Sequence, residues 1–514
     1  PQAPDPALDL GGGSHVPYGN RRMILRNGPV YTMDPRLPRV SALAVAGGTI
    51  AGGVDVREGD SDAVGHERID LDGRCVLPGF TDAHVHFQEW SLARTQIDLR
   101  GCGSKAEALR SVADAAAGEG WLRGRGWEPV RWPDGPATAA DLDAATGERP
   151  AALWSQDGHT LWLNSAALAT AGAAGRSGVL HERDAFTFPV PPPDPLECSR
   201  AVRAGVAEAN ARGVVCVHDF QRPGGRGLWQ RLDADRRLRL RVHMAVPVEM
   251  LAAATALELR TGFGSDLVRV GPIKVFMDGA LGSGTAWMLD GSGDALVTPD
   301  ELAGIAREAA GSGLSVAVHA IGDGAVRAAL DGLEAARAAW EAVPVAPRIE
   351  HAQCVDDADL PRFAALGVTA SVQPIHAMDD RDLADRTWGA RAASAYRWRD
   401  LLEADTRMAF GSDAPVADLD PLAGIAAAVH RTADEREPWY PAQRLAVADA
   451  VVGFTAGAAH AVGEHRRRGL LLPGYAADLV VLDTDIVEHP DRISQAQVVA
   501  TMIAGRWVYG APPW

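Results

Sequence analysis

The spacing of apolar positions divides the chain into three kinds of stretch. Between Arg22 and about Leu77, short runs (MILRNGPVYTM, VSALAVAGGTIAGG, RIDLDGRCVLPGF) alternate apolar and polar residues and are punctuated by Gly-Gly and Asp-Gly pairs. That is how strands joined by tight hairpin turns read. GLLLPGYAADLVVLDTDI and VVATMIAGRWVYG repeat the style near the other end. The pattern predicts a small β-sandwich built from both termini, residues 21–77 plus 440–514. Between them lie eight short apolar runs, at 76–86, 214–219, 240–246, 273–277, 314–319, 348–351, 368–372 and 408–413. Ala-rich helical patterns, such as 300–310 and 323–340, separate most of them. Alternating strands and helices predict a parallel sheet, and eight such units predict an α/β fold, a (β/α)8 TIM barrel, over 78–439.

One stretch breaks this rhythm. Residues 88–211, after the first barrel strand, are far more than a barrel loop needs. They contain Trp121, Trp127, Trp132, Trp154 and Trp162, a proline-rich run around Pro191, Pro192 and Pro193, and the motif Trp154-Ser-Gln-Asp-Gly-His159. We read this insertion as a lid over the barrel mouth, with most of its tryptophans in a core. Residues 1–20 read as a flexible tail. The chain opens on Pro rather than Met, which leaves open whether a preceding segment was removed.

Composition narrows the function. The formal net charge is −17, which argues against nucleic acid or an anionic membrane as partner, since both need a basic face. No run of eighteen apolar residues marks a membrane span. The five cysteines are scattered without C-x-x-C spacing, as in the reduced core of a cytoplasmic protein. A small-molecule substrate is expected, and a homodimer is a candidate assembly.

The candidate chemistry lies at the ends of the apolar runs. In His84-Val85-His86 two imidazoles project from one face of a strand, because side chains two apart point the same way. Neutral imidazole is the commonest side-chain metal ligand. Alone, the pair would more simply be two exposed histidines. Lys274, His319, His351 and Asp413, however, sit in or at the ends of four later runs, at positions where a structural strand would carry Val or Ile. Together the six residues predict a metal centre. A structural ion pair of Lys274 with Asp278 is the alternative for that lysine. Asp82, Glu350 and Asp323 are candidate acceptors for the second ring nitrogens of histidine ligands. On the substrate side, His159, Gln373 and His376 are candidates. Arg391 and Arg431 are weaker ones for a carboxylate. The chain has no phosphate-loop motif and no Gly-x-Ser-x-Gly elbow.

PGFTDAHVH, IKVFMDGALGSGTA, HAIGDGAV, RIEHAQ, FGSDAPV and LPGYAADLVVLD together resemble the motifs of the amidohydrolase superfamily. The insertion motif SQDGHTLWLNSAAL is similar to that of its YtcJ-like branch, which includes N-substituted formamide deformylases. The resemblance spans nearly the whole chain. It implies two divalent ions, usually zinc: His84, His86 and Asp413 on the more buried ion, His319 and His351 on the more exposed one. Lys274 would bridge them as a carbamate. It also implies hydrolysis of a C–N bond in an amide-like substrate, with Asp413 moving the proton from water to the leaving nitrogen. A mononuclear deaminase of the superfamily would carry a glutamate soon after the fifth-strand histidine, where this chain reads His319-Ala-Ile-Gly-Asp-Gly. A C–O hydrolase, a lyase and a scaffold that binds no metal remain as rivals.

Overall fold

The computed structural model describes residues 22–53, 67–128, 132–156, 158, 160–173, 175, 177–220 and 225–514. The expected tail at 1–20 lies outside them, as does His159. At the centre is an eight-stranded parallel sheet, made in chain order of Phe80–Val85, Val214–Asp219, Arg241–Pro247, Val268–Phe276, Val316–Ala320, Arg348–His351, Thr369–Val372 and Met408–Phe410. Each of the eight apolar runs supplies one strand. The sheet closes on itself where the first and eighth strands meet. There Asp413 N donates to His84 O at 2.7 Å and His86 N to Ala414 O at 2.8 Å. The strands are buried on both faces, which explains their near-continuous apolar reading. Helices such as Pro299–Gly311 and Asp323–Ala335 cover the outside. The first of these starts on a capping box in which Thr298 and Glu301 each satisfy the other's backbone N–H, with Pro299 preset for the first turn.

Both chain ends enter one eight-stranded sheet. Strand Cys75–Pro78 lies between Arg22–Tyr31 from the N-terminal segment and Leu479–Leu482 from the C-terminal one. Met23, Leu25, Val30, Leu43, Val45, Leu479 and Met502 form part of its separate core. The helical segment Val447–His460 packs instead against the first and last barrel strands.

The insertion folds around its own five-stranded sheet, ordered Val179–His181, Thr160–Leu163, Ala151–Ser155, Leu122–Trp127, Ile97–Asp98. Trp127, Trp132 and Trp162 pack in its core with ring centroids 5.4–5.7 Å apart. Two side chains, one in this sheet and one just after it, tie the insertion to the barrel loop after Asp413. Arg125 Nη2 donates to Pro415 O at 3.1 Å and Gln156 Nε2 to Val416 O at 3.0 Å. Among the described residues no helix is long and apolar enough to cross a membrane.

Candidate metal centre

Five strand ends deliver the six predicted side chains to one place. His84 and His86 leave the first strand on the same side. Lys274 comes from the fourth, His319 from the fifth, His351 from the sixth, and Asp413 follows the eighth. The His84 ring lies 5.9 Å from that of His86 and 4.9 Å from that of His351, and His351 lies 4.5 Å from His319, centroid to centroid. Ligand atoms of His84, His351 and Asp413 all fall within 4.8 Å of one another. Gly411 makes the approach possible: a Cβ there would sit 2.4 Å from His84 N.

The surroundings fix which nitrogen of each ring is available. His84 Nδ1 donates to Glu350 Oε2 at 2.7 Å, so its Nε2 carries a lone pair. His351 Nδ1 donates to Gln373 Oε1 at 2.8 Å, leaving Nε2. His319 Nε2 donates to Gly279 O at 2.8 Å, leaving Nδ1. Burial, then the neighbouring cationic groups, hold His84 and His351 well below the ordinary histidine range, so both are neutral.

A conflict results. Asp413 Oδ1 lies 3.6 Å from His84 Nε2 and 3.5 Å from His86 Nε2. A carboxylate oxygen and a neutral imidazole lone pair repel unless a proton or a cation lies between them. Burial pushes the Asp413 carboxyl up to about 8, and a cation in the cluster would reverse that shift. Two N-donors, an anionic oxygen and a further histidine pair make a donor set suited to zinc or a similar divalent ion. The backbone is held against its preference at the same places. His351 and Asp413 adopt φ of 71° and 57°, a left-handed conformation costing about 1–3 kcal/mol for a residue other than glycine.

Lys274 is buried, yet it reaches no carboxylate at ion-pair distance among the described residues. Its Nζ sits over the rings of Phe220 and Phe276, 4.8 Å from each centroid. Burial lowers its pKa to about 8 against the pull of Glu350 and Asp413. Asp278, the alternative partner, is occupied elsewhere: it accepts Ile321 N at 3.0 Å, Gly322 N at 2.9 Å and Trp287 N at 3.0 Å, and it lies 3.5 Å from His319 Nε2.

Of the expected second-layer acceptors, Glu350 holds His84. Asp82 accepts His84 N and Ser412 N, stapling the first strand to the eighth. Asp323 accepts Leu289 N and touches none of the histidines. Gln373 is buried against His351, and the buried His376 hydrogen-bonds the Ser412 backbone. Arg391 pairs with Asp290 at the surface, and Arg431 is buried over the rings of Trp398 and Trp439. Arg348 was not foreseen. It is fully buried, pairs with Glu350 through Nε, and donates through Nη1 to His218 Nδ1 at 2.8 Å. Burial alone would raise Glu350, but Arg348 holds it below the usual carboxylate range. The Arg-x-Glu-x spacing in RIEH, two polar residues on one face of a buried strand, was the signal that could have revealed it.

A closed parallel barrel with histidine, carboxylate and lysine side chains converging at its C-terminal mouth defines a metal-dependent hydrolase. The pattern of the amidohydrolase family matches residues 67–509, and the chain belongs to that family. It is 31% identical to Protein LONG AFTER FAR-RED 3 of Arabidopsis thaliana over 95% of this chain and 91% of that protein. It is 29% identical to YtcJ of Bacillus subtilis (strain 168) over 95% and 99%. It is 26% identical to an N-substituted formamide deformylase of Arthrobacter pascens over 94% and 98%. Among solved structures, an uncharacterized metal-dependent hydrolase from Pyrococcus horikoshii OT3 superposes with a TM-score of 0.79 at 26% identity, covering 91% of this chain and 98% of the other.

Proposed function

We propose that this enzyme hydrolyses the C–N bond of an amide-like small molecule, an N-formyl or N-acyl amine, at a centre of two zinc ions. The observation that carries the reading is the facing of two imidazole nitrogens and one carboxylate oxygen across 3.5–3.6 Å, with the other His84 nitrogen committed to Glu350. His84, His86 and Asp413 would hold one ion, His319 and His351 the other. Lys274 would span them after its neutral amine adds carbon dioxide and loses a proton. Its desolvated position between two aromatic rings favours that neutral amine. When bound, the ions supply Lewis acidity and lower the pKa of water from about 15.7 to about 7.

The chain's own groups do the rest. The Asp413 carboxylate accepts a proton from the attacking water and returns it to the departing nitrogen, so that amide plus water gives acid plus amine. Glu350 and Gln373 keep the His84 and His351 lone pairs aimed inward. His376 braces the backbone beside Asp413. His159, from the lid, is our candidate for holding the scissile carbonyl. The likeness to a formamide deformylase supports the acyl class. All five cysteines are free thiols, which supports a cytoplasmic location.

The test is a screen of the zinc-loaded protein with N-formyl, N-acetyl and N-aroyl amines, cyclic ureas and esters. Release of amine is expected, and turnover confined to esters would overturn the assignment. Lys274→Ala should sharply reduce bound zinc, and retention of two equivalents would refute the bridging role.

A further inference from the structure

A cavity of about 200 Å³ lies on the insertion, away from the six ligands, lined by Gln96, Arg123, Ala152, Trp154, Val190 and the Pro191–Pro193 run. Its position follows from strand alternation. In Leu122–Trp127, the Leu122, Gly124 and Gly126 face packs inward; a Cβ on Gly124 would lie 2.8 Å from Leu153 Cδ2. Arg123 and Arg125 therefore share the opposite face. The parallel register places Ala152 and Trp154 of the next strand beside them. The proline run closes the far side, fixed there by Arg123 Nη2 donating to Pro191 O at 2.8 Å.

Among the described residues neither guanidinium reaches a carboxylate at ion-pair distance, although acidic residues outnumber basic ones in the chain. Their hydrogen bonds go to main-chain carbonyls. Each keeps donors to spare, since a guanidinium carries five N–H groups in a fork that matches a carboxylate. Burial pulls Arg125 down to about 10, and the more distant Glu89 and Asp98 offset that only in part. Arg125 is also the link to the metal centre. Its Nη2 holds Pro415 O, in the loop that begins at Asp413, while Arg123 is two strand residues away, roughly 7 Å. Arg125 thus joins the strand that carries Arg123 to the loop that begins at Asp413.

We propose that this cavity is a second substrate subsite, taking a flat apolar group that bears a carboxylate: the apolar body against Trp154 and the prolines, the carboxylate on Arg123, with Arg125 lining the way to the scissile bond. The enzyme would then act on amides in which the acyl or amine part is an aromatic or bulky aliphatic acid. This deepens the hydrolase reading and rests on it.

The test measures binding, so that its failure differs from a failure of hydrolysis. Titration calorimetry on the full-length zinc-loaded protein would use three inert probes: 3-phenylpropanoate, the neutral 3-phenylpropan-1-ol, and acetate, which shows how a carboxylate alone interacts with the metals. We expect 3-phenylpropanoate to bind at least tenfold tighter than either of the others. Arg123→Gln, which keeps a donor for Pro191, and Trp154→Leu should each weaken it at least tenfold and leave acetate unchanged. Equal affinity for the three probes would overturn the subsite. So would 3-phenylpropanoate binding that neither variant alters, or variants that weaken acetate equally. Tight, variant-sensitive binding without turnover of any amide would keep the subsite and sink the hydrolase reading.

Discussion

Both ends of the barrel bury charged side chains and treat them in opposite ways. Where the strands begin, against the terminal sheet, Arg241 is 1% exposed and forms a two-pronged pair with Asp478, through Nε at 2.7 Å and Nη2 at 3.0 Å. It also reaches Asp266 at 2.6 Å, and Arg468 pairs with Asp266 and Glu464. Every one of these carboxylates has a cation in contact. Where the strands end, Lys274 has no carboxylate in contact among the described residues, and Asp413 faces the His84 lone pair and a ring nitrogen of His86. A buried charge is tolerated only with a partner. At the first end the chain supplies the partner. At the second, the divalent metal that the family implies would be the partner. The contrast teaches how to read a barrel core: complete ion pairs hold domains together, and incomplete ones mark the site.

Substitutions at the two ends should separate activity from stability. Asp413→Asn keeps size and shape while removing the proton acceptor. Turnover should fall by about 10²–10⁴-fold, the usual worth of general acid–base catalysis, with the thermal midpoint unchanged or raised because a desolvated charge is gone. Steady-state rates and a melting curve check this, and near-normal turnover would remove Asp413 from proton transfer. Arg241→Ala should do the reverse. It strands Asp478 and costs about 3–5 kcal/mol in urea unfolding, while the folded fraction retains its kcat. Gln373→Ala should have a smaller, selective effect. Without its acceptor the His351 ring loses its orientation, so zinc affinity should fall about 10–100-fold with little change in stability. A zinc-buffered titration measures it, and unchanged affinity would mean that Gln373 does not support the ligand.

The contrast also explains what could be read from the sequence. The eight strands were legible because strands buried on both faces are short apolar runs, and the ligands because each interrupts such a run with a polar residue. His84 and His86 were clearest, since period two places them on one face without any tertiary knowledge. The partners were not legible. Arg241 meets Asp478 across 237 positions of chain, and Arg348 finds His218 across 130. No local pattern encodes those pairings. Arg123 and Arg125 sit in an unremarkable LRGRG run, and only the neighbouring strand and the proline run show that they line a cavity. The register of the insertion, and with it the subsite, depends on tertiary contacts that periodicity does not carry.

The smallest effect is the sharpest test of the comparison, because it isolates the sign of one interaction. Against the upward push of burial, Arg241 holds Asp478 below the usual carboxylate range, and Asp266 is lowered in the same way. An unfolded Asp titrates near 3.9. As the pH falls below about 4, the unfolded wild type therefore binds more protons than the folded one. The contribution of these pairs, fully present above that pH, is lost through the folded pKa values, at no more than about 1.4 kcal/mol per carboxylate per pH unit. In Arg241→Ala the balance at Asp478 inverts. Burial without its main partner raises the folded pKa above 3.9, so this variant is penalised at neutral pH and recovers as Asp478 takes up a proton. The stability gap between the two proteins should accordingly narrow from pH 7 to pH 4. The titrations of His84, His351 and the other metal-site groups are common to both and cancel in the difference. Urea unfolding at pH 7, 5.5 and 4 measures that gap. A gap that stays constant would mean that Arg241 contributes packing alone, and that the strand-start end of the barrel is not held by charge.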